Sequence, residues 1–187
     1  MEKKVIEKKP GTSSSSDERS KRQKKLTEYG RQLSEKQKVK EMYGMREKQF
    51  RRFYSIATKQ KTATGETLLS LLERRLDNVI YRAKLANTRT QARQIIVHGH
   101  ILVNGHKVYS PSYLVEVSDI ISLAPNVANK AVFLENVVDK RLNTGVKVPE
   151  WIELDKKDRK ANILRYPVRS DIQVPIEESL IVELYSK

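Results

Sequence analysis

The stretch TRTQARQIIVHGHILVNGHKV, Thr88 to Val108, switches period half-way along. Thr88 with Gln91 three residues later is a capping box, so a helix opens there. Ala92, Ile95 and Ile96 recur at helical spacing and form its buried face. Gly99 ends it, because a left-handed backbone conformation costs least at glycine. Asn104-Gly105 then stands between short apolar runs, a strong two-residue hairpin signal. A short helix running straight into a hairpin predicts helices packed on a small antiparallel sheet.

Upstream, GETLLSLLERRLDNVIYRAKL (residues 65–85) reads as one helical pattern. Leu69, Leu72, Leu76, Val79, Ile80 and Ala83 recur at spacings of three and four, and Asn87-Thr88 breaks the pattern. Two earlier helices are expected. The first opens at the Ser34/Gln37 capping box and stops at Gly44. The second runs from about Arg46 to Lys59, with Phe50, Phe53, Tyr54 and Ala57 on one face and Lys48, Arg51, Arg52 and Lys59 on others. Downstream, YLVEV (113–117) and DIISLA (119–124) read as short strands around a Ser118-Asp119 turn. A helix is expected over Lys130–Leu142. WIELD (151–155) and LIVELYSK (180–187) read as short strands or extended segments. The class is α+β, helices first and a small antiparallel sheet after.

The 187 residues carry a formal net charge of +14. The excess is uneven. Residues 1–60 hold 18 Lys/Arg against 8 Asp/Glu, residues 61–107 hold 8 against 3, and residues 108–187 hold 11 against 12. The first 107 residues therefore favour an anionic partner, with nucleic acid the first candidate. There is no cysteine, which excludes disulfides, cysteine-based zinc sites and thiol chemistry. No apolar run approaches the ~20 residues that span a bilayer. The start, MEKKVIEKKPG, lacks the apolar core of a signal peptide and carries Glu2 and Glu7. Residues 1–25, with four consecutive serines and then Arg19, Lys21, Arg22, Lys24 and Lys25, have little to bury. They are expected to stay disordered until they meet a partner.

His98, His100 and His106 are the only histidines, and all fall in the opening stretch. No acidic residue lies between Asp77 and Glu116, and a hydrolytic zinc site typically adds a carboxylate. No metal is expected. The histidines are read as hydrogen-bonding or stacking groups in a binding rim, or as surface residues without a role. Arg89 and Arg93, four apart, share one stripe of their helix, and Arg75 and Arg82, seven apart, share another. Packing the two helices through Leu and Ile is expected to leave both stripes free. Their guanidinium groups can fork onto phosphate oxygens.

The same span resembles the RNA-binding module named after ribosomal protein S-four. The resemblance is carried by Arg75-Leu76-Asp77, Thr88-Arg89-Thr90-Gln91-Ala92-Arg93, Gly99 and Val103-Asn104-Gly105. Two flanks extend it. LTEYGRQLSEKQKVKEMYGMREKQF (26–50) is similar to the helical N-terminal domain of the small-subunit ribosomal protein family S-four, and IEESLIVELYSK (176–187) to its ending. The resemblance implies residues 1–25 as tail, 26–70 as a helical domain joined by 160–187, and 71–159 as the RNA-binding module. It implies no enzyme and no cofactor. It implies a primary binder of 16S-type rRNA, acting early in assembly of a small subunit, with a cytoplasmic bacterial ribosome expected ahead of an organellar one and ribosomal protein S-five as neighbour at an interface linked to decoding accuracy.

Candidate rRNA-binding residues are then Lys36, Lys38 and Lys40 on the first helix, and Arg46, Lys48, Arg51, Arg52 and Lys59 on the second. Arg75, Arg82, Arg89, Arg93, His98, His100, Asn104, His106 and Lys107 complete the set. Arg22, Lys24 and Lys25 stand where the family places residues beside incoming mRNA. The family usually has a longer N-terminal segment, sometimes with a cysteine zinc knuckle. Leu26 comes here after only 25 residues, so zinc is not expected. Two rivals are an RNA-modifying enzyme and a free-standing RNA-binding regulator. The first needs a separate catalytic domain, and the second leaves both flanks unexplained.

Overall fold

The computed structural model describes residues 27–128, 134, 135, 141 and 147–186. The expected tail and most of the expected helix over 130–142 lie outside the described residues. Helices come first: α1 (Glu28–Met42), α2 (Glu47–Ala57), α3 (Thr64–Glu73), α4 (Leu76–Arg82) and α5 (Arg89–Val97). The strands β1 (Ile101–Val103), β2 (His106–Lys107) and β3 (Ile120–Leu123) follow, then α6 (Pro125–Ala128), β4 (Ile152–Asp155) and β5 (Lys160–Ile163). A 3-10 turn (Arg169–Asp171) leads to α7 (Glu178–Ser186). The class is α+β, with one sheet in the order β2-β1-β3-β5-β4 and every neighbour antiparallel.

The opening stretch folds as read. Thr88 Oγ1 accepts from the Gln91 amide at 3.1 Å, and Gln91 Oε1 accepts from the Asn87 amide at 2.8 Å. The first bond satisfies a donor of the first turn of α5, and the second fixes the residue that precedes the cap. Gly99 has φ +68°, and a Cβ there would stand 2.6 Å from the Tyr109 ring, so both backbone and space require glycine. Asn104 and Gly105 have φ of +50° and +81°, the two left-handed residues of a tight hairpin, with Val103 opposite His106.

Alternation along the strands sorts the sheet's faces. Ile101, Val103, Ile121, Leu123, Ala161 and Ile163 point inward against Val79, Ile80, Ala92, Ile95 and Ile96 of α4 and α5. A second core lies among the helices. Val39, Tyr43, Phe50, Phe53, Ala57, Leu68, Leu69 and Leu72 pack with Ile172, Ile176 and Ile181 from the chain's other end. Tyr185 of α7 stacks on Tyr54 at 4.5 Å and donates from its hydroxyl to Glu47 at 3.0 Å.

Four local expectations differ from the structure. α1 begins at Glu28, capped by Thr27 Oγ1 accepting from the Gly30 amide at 3.2 Å, and Ser34 lies inside the helix. The pattern over 65–85 is two helices. At Arg75 the backbone turns extended, and the segment pairs with 113–115: the Leu76 amide donates to Tyr113 O at 2.8 Å, and the Val115 amide to Arg74 O at 3.0 Å. YLVEV is therefore a lone bridge, Arg75 opposite Leu114, and not a strand. Leu180–Ser186 of LIVELYSK fall within α7, where Ile181 and Tyr185, one helical turn apart, both pack on the helical core.

Candidate nucleic-acid interface

The basic residues divide into two groups. On α2, Arg46, Lys48, Arg51, Arg52 and Lys59 just beyond it are exposed. None makes an ion pair with an acidic side chain among the described residues. Phe50, Phe53 and Ala57 turn the opposite face of this helix into the core, which forces the cations outward. His106 and Lys107 are exposed on β2, an edge strand, and His98 is exposed at the end of α5. His98 and His100 have their rings 5.8 Å apart, edge to face.

The second group faces inward, and here the expectation of two free stripes is overturned. Arg75 is 1% exposed and lies under Phe53, forked onto Asp77 at 3.1 and 2.7 Å. Arg82 forks onto Glu73 at 3.1 and 2.7 Å. Arg93 donates twice to Asp77, at 3.0 and 2.7 Å, and to the carbonyls of Gly44 at 2.7 Å and Tyr43 at 3.1 Å. Arg89 donates to Asn78 Oδ1 at 2.8 Å and lies between the rings of Tyr43 (5.1 Å) and Tyr81 (4.6 Å). The physical reason is two buried carboxylates. Glu73 and Asp77 are each 1% exposed, and a buried carboxylate requires a charged or hydrogen-bonding partner.

This network fastens the corner between α1 and α2 to α4 and α5. It joins the two cores at a place where the apolar clusters do not. Four arginines against two carboxylates leave an excess of positive charge. Lys36 and Lys40 are likewise engaged, both with Glu47 at 2.9 and 3.3 Å, and Lys38 with Glu35 and the Pro175 carbonyl. Asn104 holds its own hairpin down: its amide donates to Asp119 at 2.8 Å and its Oδ1 accepts from the Ile120 amide at 2.9 Å.

Sequence reasoning missed Glu73, Tyr43 and Asn78 as the other half of the network. Their signal was present: two acids, Glu73 and Asp77, bracket Arg74-Arg75 in an apolar pattern where exposed charge is out of place. Tyr43 donates to Glu73 Oε1 at 2.6 Å. Burial first, then the negative charge of Glu73 and the bond to it, push the Tyr43 phenol well above the ordinary tyrosine range. A phenol raised on folding contributes stability that is complete below about pH 10 and lost as pH rises beyond it. The protein should lose stability progressively above about pH 10, and Tyr43→Phe should remove that component. Urea melts of both proteins from pH 8 to 11 measure it, and identical slopes would count against it.

Two family models match contiguous parts of the chain. The model described as Ribosomal protein S4/S9 N-terminal domain matches residues 1–73, and the S4 domain matches 74–121. The chain is similar to the small ribosomal subunit protein uS4 of Halothermothrix orenii, 48% identical, over 91% of this chain and 80% of that one. The uS4 of Aquifex aeolicus is 50% identical over 89% and 79% respectively. That of Thermoanaerobacter pseudethanolicus is 51% identical over 88% and 77%. The chain belongs to the uS4 family. It is a ribosomal structural protein and not an enzyme. The boundary between the matched models falls at Glu73-Arg74, between the two network carboxylates. The ion network thus links the two matched segments, 1–73 and 74–121. No helix of the described residues is long and apolar enough to cross a membrane.

Proposed function

We propose that this uS4 chain binds 16S-type rRNA directly, early in assembly of the small subunit, and organises the RNA of the subunit body. The observation that carries this reading is the α2 row. Arg46, Lys48, Arg51, Arg52 and Lys59 are exposed on one helix with no acidic partner among the described residues, so their charge is available to phosphate. His98, His106 and Lys107 extend the surface at the hairpin. Arg82, Arg89 and Arg93 are half-buried and add positive potential from behind. Arg75 and Asn104 act as scaffold. Lys36, Lys38 and Lys40 contribute field more than contact, and His100 is a secondary contact.

Family membership supports the finer parts of the proposal. The neighbour is ribosomal protein S-five, at an interface that contributes to accuracy. Arg22, Lys24 and Lys25 meet incoming mRNA. The setting is a bacterial cytoplasmic ribosome. A filter-binding titration against a 16S-type rRNA transcript tests the core of the reading. With six to ten phosphates contacted, affinity should fall on the order of 10³–10⁵ between 50 and 200 mM salt. A nearly flat dependence would overturn it. Release from small subunits in a high-salt wash would favour the free-standing regulator instead.

A further inference from the structure

A groove of about 370 Å³ opens between α3 and the segment that follows β5. Gln60, Thr62, Ser70 and the α3 C-cap Arg74 line it together with Tyr166 and Val168 of the later segment. The Arg74 guanidinium lies over the Tyr166 ring at 4.0 Å. Its Nε donates to the Val115 carbonyl at 3.0 Å, and among the described residues the forked end makes no hydrogen bond beyond its contact with the ring. Tyr166 is still 44% exposed although it carries a cation on one side. Neither residue belongs to the ion network or the α2 row.

The groove continues a basic track. Arg52 on α2 and Lys59, two residues past its end, are both exposed. Arg52 and Ile56 line a smaller groove with Ser112 and Leu114. From there the chain reaches Val115, which is bonded to both the backbone and the side chain of Arg74. Gln60, three residues past the end of α2, lines the larger groove. A backbone of phosphates that follows Arg52 and Lys59 therefore arrives at Arg74 beside an accessible aromatic ring. A phosphate track ending on an aromatic platform is what an unpaired nucleotide requires.

We propose that this groove holds one unpaired nucleotide of the RNA, its base stacked on Tyr166 and its phosphate forked by Arg74. The proposal rests on the rRNA-binding reading above. Glu66 also lines the groove, and its charge disfavours a second phosphate beside it.

The test is binding of the full chain to a 16S-type rRNA transcript, with affinity and salt slope measured together. Tyr166→Leu keeps the bulk and loses the π face, and should weaken binding about tenfold at an unchanged slope. Tyr166→Phe should restore parental affinity. Arg74→Gln should reduce the slope by about 0.7, the share of one single-strand phosphate. Because Arg74 also holds Val115, its melting temperature is measured too. If that variant unfolds, the Tyr166 pair decides alone. A thiouridine-substituted transcript should crosslink to Tyr166 in the parent. Parental affinity in Tyr166→Leu, with no crosslink, overturns the site and leaves the rRNA reading intact. Failure of the parent to bind overturns the rRNA reading itself. Parental RNA affinity in Tyr166→Leu, with loss of a neighbouring protein from assembled subunits, makes the groove a protein contact and also overturns the proposal.

Discussion

Replacing Asp77 by Ala should destabilise the protein by about 3–5 kcal/mol, the cost of leaving a buried cation without its partner. Asp77 accepts from both Arg75 and Arg93 and is 1% exposed. Arg75 is the reason for the size. Its side chain is 2% exposed, its remaining Nη1 has no hydrogen-bond partner, and Phe53 covers it. Without Asp77 that guanidinium has neither water nor anion, and an arginine cannot discharge itself by losing a proton. Arg93 behaves differently, since its side chain is 33% exposed and it keeps the Tyr43 and Gly44 carbonyls. Arg93→Ala should therefore cost about 1–3 kcal/mol. Asp77→Ala combined with Arg75→Met should recover much of the loss, because an apolar replacement removes the stranded charge with its partner. Denaturant melts of the three variants decide the matter. A loss under 1 kcal/mol for Asp77→Ala would mean that Arg75 finds solvent, and the network would not be a structural link.

The features legible in the sequence are those fixed by neighbours in the chain. The Thr88/Gln91 cap, Gly99 and the Asn104-Gly105 turn each act over four residues or fewer, so a local reading captures them. The break at Arg74-Arg75 was hidden because its cause lies some forty residues away, in the backbone pairing with 113–115. Thr27 was passed over as a cap because Ser34 offers the same chemistry inside a pattern already rich in charge. LIVELYSK opens on the short apolar run Leu180-Ile181-Val182, which suits a buried strand as well as a helix, and packing against α1 and α3 makes Leu180–Ser186 helical. The same limit governs the candidate site. Spacing correctly put Arg89 and Arg93 on one stripe of α5. It could not show that Asp77, sixteen residues before Arg93, would claim that stripe, nor that Tyr43 and Tyr81 would enclose Arg89. Exposure, and not spacing, separates the α2 cations from the network cations.

That separation gives the largest expected effect on binding. Changing Arg46, Lys48, Arg51 and Arg52 together to Gln should leave the fold intact, because all four are exposed and none has an ion pair among the described residues. Gln is as good a helix former as Arg or Lys, so α2 should not fray. Each charge-assisted bond to phosphate contributes roughly 1.5–3 kcal/mol, so even partial engagement of the four should weaken rRNA affinity at least ~1,000-fold. The salt slope should fall by about 3, since each lost phosphate contact removes 0.7–0.9. Arg93→Ala gives the opposite signature. It loosens the joint between α1–α2 and α4–α5, so affinity should fall while the slope changes by less than about 0.3, well under the 0.7–0.9 of one lost phosphate contact. The two variants, titrated side by side from 50 to 300 mM salt, distinguish a cation that touches phosphate from one that holds the surface in shape. If the slope drops for Arg93→Ala and is unchanged for the α2 variant, the roles are reversed: phosphate is then gripped at α5, the network opens on binding, and the α2 row serves only as a solvated face.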